Sequence, residues 1–278
     1  MLFRIPIPTL SIREAGSGSS TRNLFAGLCF LAAFSAIGNA QLTKKLRHAI
    51  ETGNTTESIK LLSAEIQRSP NEAMFYYHRG SENFRANRMK ESLADFDRFV
   101  ELEPAAESRQ WKRGITAYYA GEYKKGSDQF ELYQSFHGND VENAVWKAMC
   151  DAKLFGFDQA SASILPIPND RRPPMMQIYS MFKQEATPEQ VVEVADRNAS
   201  ELKNDAPLFY AHLYVGLYYE AAGKPELVRK HIEQSTKHRI DHYMWDVARV
   251  HLQRLDSKDP ATKAQKTSEE TSEKTTVE

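Results

Sequence analysis

Cysteine is nearly absent from this 278-residue chain, Cys29 and Cys150 being the two present. Two cysteines in such different settings make neither a disulfide framework nor a zinc site, and no metal-ligand spacing accompanies them. An excess of either charge is missing as well, the formal net charge being −1. A nucleic-acid or anionic-membrane surface needs clustered lysine and arginine, so near-neutrality argues against both. There is no glycine-rich phosphate loop and no serine elbow. No paired acid stands in an apolar setting that would raise its pKa for general acid work.

The chain also lacks an apolar run of the roughly 20 residues that a bilayer span needs. The nearest is LFAGLCFLAAFSAIG at 24–38, 15 residues long. Arg4, Arg13 and Arg22 precede it against a lone Glu14, and Gly38-Asn39-Ala40 follows with small residues where a signal peptidase reads. This pattern predicts a secretory leader over 1–40 with Gln41 as the new N-terminus, and hence an exported, periplasmic or secreted protein. A transit peptide to an organelle lumen and an uncleaved anchor are the alternatives, the anchor being the one route to membrane contact. At the other end, 256–278 is Lys-, Glu-, Thr- and Ser-rich with one apolar residue larger than alanine. It reads as a disordered polar tail.

What fills the middle is a period. Gly80, Gly114 and Gly216 lie at multiples of 34 residues, with Ala148 in the intermediate slot. Pro70 and Pro104 keep the same step, as do Leu62, Phe96, Phe130 and Ile164. Inside each unit the apolar residues recur near every 3.6 positions, broken by one turn, as at Ala86-Asn87-Arg88. Glycine in a helix interior costs about 0.5–1 kcal/mol relative to alanine, so its recurrence at one register predicts close approach of neighbouring helices. The expectation is an all-α solenoid of stacked helix–turn–helix units over 41–255, each too small to bury its apolar face alone. The units fall near 42–72, 73–106, 107–140, 141–166, 175–204 and 207–240, with a helix over 243–255 covering the end of the stack. Ile164-Leu165-Pro166-Ile167-Pro168 cuts the fourth unit short, because proline cannot continue the backbone ladder. Thr187-Pro188-Glu189-Gln190 predicts a helix start.

The arrangement resembles the tetratricopeptide repeat (TPR). That pattern asks for a bulky residue near position 4, small residues at 8 and 20, an aromatic at 24 and proline at 32. The second unit supplies Tyr76, Gly80, Ser92, Phe96 and Pro104, and the third Gly114, Gly126 and Phe130. The resemblance implies a right-handed superhelix whose concave wall is lined by Tyr77, Phe84 and Arg85, then Trp111, Ile115, Tyr118 and Tyr119, then Met149 and Lys153. WKRGITAYYAGEYKKGSDQFELYQSF and YAHLYVGLYYEAAGK are also similar to an exported TPR family of bacteria and photosynthetic eukaryotes. That likeness bears on location and fold alone.

Two functional expectations follow. The first is a non-enzymatic adaptor that binds a peptide or partner helix through Tyr77, Phe84, Arg85, Trp111, Tyr118, Tyr119 and Lys153, aromatics with a cation being common anchors. The bland alternative is that these rings are core. No cofactor, metal or nucleic acid is expected under it. The Lys and Asn of the chaperone-tail clamp are missing, since Tyr77, Ser81, Trp111 and Ile115 stand there. The second expectation is a metal protein or enzyme using the His-rich C-terminal helices, with His238 and His242 four apart and His231 and His251 nearby. Asp95, Asp97, Glu101 and Glu103 read as a solvated stripe, and Arg171-Arg172 as an exposed pair able to contact an anion.

Overall fold

The structure, a computed structural model, describes residues 43–258. The leader at 1–40 and the tail beyond 258 lie outside the described residues. The chain divides into two compact units, 1–48 and 49–278. A helix at 43–51 (α1) begins the described part. Then come α2 (Thr55–Arg68), α3 (Ala73–Arg85), α4 (Met89–Leu102), a 3₁₀ turn (Pro104–Arg109), α5 (Trp111–Ala120), α6 (Tyr123–Phe136), α7 (Val141–Phe155), α8 (Phe157–Ala162), α9 (Met175–Phe182), α10 (Pro188–Leu202), α11 (Ala206–Ala221), α12 (Pro225–Lys237) and α13 (Tyr243–Lys258). No strand occurs among the described residues. From α2 onward each helix packs against the next, so the fold is all-α and built as a solenoid is.

The recurring glycine is explained by what stands opposite it. A Cβ on Gly114 would lie 2.6 Å from Cζ of Phe130, sixteen residues on in α6. At Gly216 the same relation holds with Ile232, whose Cδ1 would be 2.7 Å away. These units thus close by pushing one large side chain into a gap left by a missing one, giving the dense packing that protein interiors need. A polar clasp runs beside it. Arg79 donates to Asp95 at 2.6 Å and Arg113 to Gln129 at 2.8 Å, again sixteen residues apart. Asp95 also accepts from Asn83 at 2.9 Å and is buried. The expected solvated stripe is corrected at this residue: a carboxylate that accepts from both Arg79 and Asn83 can be taken out of water.

The fourth unit departs from the rule. Its second helix, α8, spans six residues before 163–174 runs as a loop. Helix resumes at Met175, and α9 packs on α7. The loop is pinned by Arg172, which reaches Asp140 at 2.7 Å, Glu142 at 2.6 Å and Asp170 at 2.6 Å. Asp170 also accepts the backbone N–H of Val141 at 3.2 Å, so the loop caps the N-terminus of α7 from outside. Arg172 is therefore engaged by three carboxylates of the protein itself while its side chain stays partly exposed. Helix α10 opens with Thr187 and Gln190 bonding reciprocally across the first turn.

Candidate functional site

Helices α3 and α5 carry six of the seven nominated residues, and helix α13 lies over four of them, Tyr77, Phe84, Arg85 and Trp111. Tyr243 packs its ring 5.3 Å from Phe84 and 5.5 Å from Trp111. The Lys112 ammonium sits between two rings, 4.7 Å from the centre of Tyr77 and 4.3 Å from that of Tyr243. Arg85 donates to Asp246 at 2.7 Å and also pairs with Glu82. Arg249 donates to the Arg85 carbonyl at 3.1 Å. Further along, Arg254 reaches Asn87 at 2.9 Å and the Tyr119 carbonyl at 3.0 Å. The last helix thus does more than cover α12 at the end of the stack: it returns across the wall expected to be open.

Magnitudes decide whether this occupancy is permanent. Met244, Val247, Ala248 and Val250 are at most 1% exposed, and Phe84 is 0% exposed. Exposing a large apolar side chain costs about 1.5–3 kcal/mol. Removing α13 would therefore cost an appreciable part of the roughly 5–15 kcal/mol that holds a typical domain folded. The core reading applies to this part of the wall, and Tyr77, Phe84, Arg85 and Trp111 serve as the seat of a helix of the same chain.

The remaining three, Tyr118, Tyr119 and Lys153, meet elsewhere. They line a cleft of about 250 Å³ together with Tyr123, Glu220, His251 and Arg254. Five helices supply it: α5 brings the tyrosine pair, α6 Tyr123, α7 the lysine, α11 the glutamate, α13 the histidine and arginine. A polar chain joins them. The Tyr119 hydroxyl is 2.8 Å from His251 Nδ1, His251 Nε2 is 3.6 Å from Glu220 Oε2, and Lys153 reaches Glu220 Oε1 at 3.2 Å. Burial pushes the Glu220 carboxyl upward, but His251 and Lys153 together outweigh it and hold the group below its ordinary value. Glu220 is therefore an anion at neutral pH. Burial, reinforced by Glu220, pushes the hydroxyls of Tyr118 and Tyr119 well above the usual range, so both stay protonated. The Tyr118 hydroxyl lies beside Glu220 without completing a hydrogen bond, and Glu220 Oε2 is likewise unsatisfied.

Glu220 and Arg254 were not singled out from the sequence, although a signal for the first exists. Helix α11 is apolar almost throughout, and Glu220 is its sole acidic residue. An acid on such a helix needs partners nearby.

The histidines do not converge as the metal reading requires. His238 stacks on His212 and approaches Asp205 at 3.3 Å, whereas His242 stacks on Trp111. His212 and His231 instead face each other, Nδ1 to Nδ1, at 3.1 Å with ring centres 5.3 Å apart. That is the head-to-head geometry of an N–H···N bond, one ring donating and the other accepting. Among the described residues no three His, Cys, Asp or Glu side chains are grouped to hold a metal ion. The Cys150 thiol is buried, and burial raises its pKa, which makes it inert.

No family model matches the chain. It is 26% identical over 86 residues to an Hsp70-Hsp90 organizing protein of Triticum aestivum. That match covers 31% of this chain and 15% of the wheat protein.

Proposed function

We propose that the chain is a non-enzymatic adaptor of the TPR type, working in an exported compartment and holding a protein partner at the cleft between α5, α6, α7, α11 and α13. The observation that carries this reading is the division of the nominated wall. Four of its residues lie under the first turns of α13, and the other three line a cleft that α13 borders with His251, Arg254 and Leu255. Helical repeats stacked in this way commonly present surfaces to partners. The partial likeness to an Hsp70-Hsp90 organizing protein, named for arranging other proteins, supports the same class. The polar groups fit it too: Tyr119, His251 and Glu220 tie helices together, with both tyrosine hydroxyls protonated and buried. The location rests on the apolar run at 24–38 and the small residues after it.

A photo-reactive amino acid placed at Tyr123, and separately at Trp111, tests the reading in the native host. Position 123 should give one discrete protein adduct that Lys153→Glu abolishes, and position 111 should give none. Adducts from 111 alone would mean that a partner displaces α13. Silence at both positions would remove the adaptor reading of this face.

A further inference from the structure

We infer that the cleft receives an acidic segment of the partner, an aspartate or glutamate followed by an apolar side chain. This rests on the adaptor reading and names the chemistry of its site. The charges fix the sign. Lys153 and Arg254 bring two cations to the cleft and Glu220 one anion. Each cation keeps spare donors: Lys153 gives one N–H to Glu220, and Arg254 gives two of its five to Asn87 and the Tyr119 carbonyl. Glu220 is already paired with Lys153 and flanked by His251, so the cations outnumber the anion, and an entering carboxylate meets donors already held in place. The Lys153 side chain retains 31% of its exposure, so the donor is within reach from outside.

The apolar half of the motif follows from what surrounds the lysine. Leu154 and Phe155 come next in the chain at the end of α7 and are 37% and 57% exposed. Tyr123 and Leu255 add apolar surface to the cleft itself. A volume near 250 Å³ suits one or two side chains rather than a whole helix, at the low end of the ~300–1,000 Å³ typical of ligand pockets.

The probe is an acetylated, amidated Phe-Glu-Glu-Phe peptide titrated into the full chain, read by the backbone amide resonances of Gly121 and Lys153. Saturable shifts at millimolar concentration or below are expected, at least tenfold weaker with Phe-Lys-Lys-Phe and weakened by 0.5 M salt. Lys153→Glu, and the milder Lys153→Gln, should lose the response while keeping the helical circular dichroism, with a lower thermal melt because Glu220 loses a cation partner. Lys124→Glu, which changes an exposed lysine paired with Asp128 outside the cleft, should keep it. Equal titration by both peptides, or full response in either Lys153 variant, would overturn the inference. The Tyr123 adduct could persist in that event, leaving the adaptor reading intact with a partner of other chemistry.

Discussion

The pairs α3–α4 and α5–α6 hold together by shape, whereas the 163–174 segment is held by charge. In the pairs a side chain is left out at Gly114 and a ring is driven into its place. In the segment one guanidinium gathers three carboxylates supplied by α7, its cap and the loop itself. Shape complementarity repeats because each unit offers its successor the same surface. Where the repeat is interrupted, the buried side chains of Leu165 and Ile167 are joined by a charged cluster larger than the Arg79–Asp95 clasp of the regular pairs. The lesson is that a break in a repeat array needs its own fastening, and here that fastening also caps the start of α7, the long helix before the break.

The comparison can be broken from either side. Gly114→Val puts methyl groups where Phe130 stands and should cost about 3 kcal/mol, a value at the upper end for overpacking. Urea unfolding followed by circular dichroism reads it, and Phe130→Ala in the same chain should recover part of the loss. Arg172→Met should cost about 2 kcal/mol. That lies below the 3–5 kcal/mol of a fully buried broken pair because the guanidinium side chain is 45% exposed. Adding Glu142→Gln should return part of it; a loss within ordinary surface values for Arg172→Met would show that shape alone suffices in the loop.

Acid gives the smallest and most selective effect. Burial lowers the pKa of His78 to about 4, assisted by Lys112 and Arg85. Burial also lowers His212 to about 4, assisted by His231 and His238. A base with a depressed folded pKa binds fewer protons folded than unfolded. Its stabilising share is therefore present above about pH 6.5 and lost as the pH falls towards 4. The buried carboxyls of Glu82 and Glu142, raised by burial, act in the opposite sense as they take up protons. The unfolding midpoint should fall between pH 6.5 and 4, and His78→Gln with His212→Gln should flatten that limb. An unchanged slope in the double variant would assign the acid response to other groups.

The architecture was legible because a small residue and a large one recur sixteen positions apart within each unit, a relation that survives as letters. Gly80 with Phe96 and Gly114 with Phe130 are both readable in one line of sequence. So is the arginine before each of these glycines, though its clasp to Asp95 or Gln129 went unnoticed. The candidate site was legible only in its aromatic content. Whether a ring lines an open wall or a filled one depends on contacts such as Arg85 with Asp246, 161 residues apart, which no local pattern encodes. The cleft escaped for the same reason, since Glu220, His251 and Arg254 reach it from two late helices.

A linear stack ordinarily unravels from its termini, each unit depending on one neighbour. By joining α13 to α3, this chain ties down that end of the stack, leaving α1 and α2 as the described helices outside the join. The early helices must wait for α13 before the assembly can lock, and once locked the body from α3 to α13 should melt cooperatively rather than repeat by repeat.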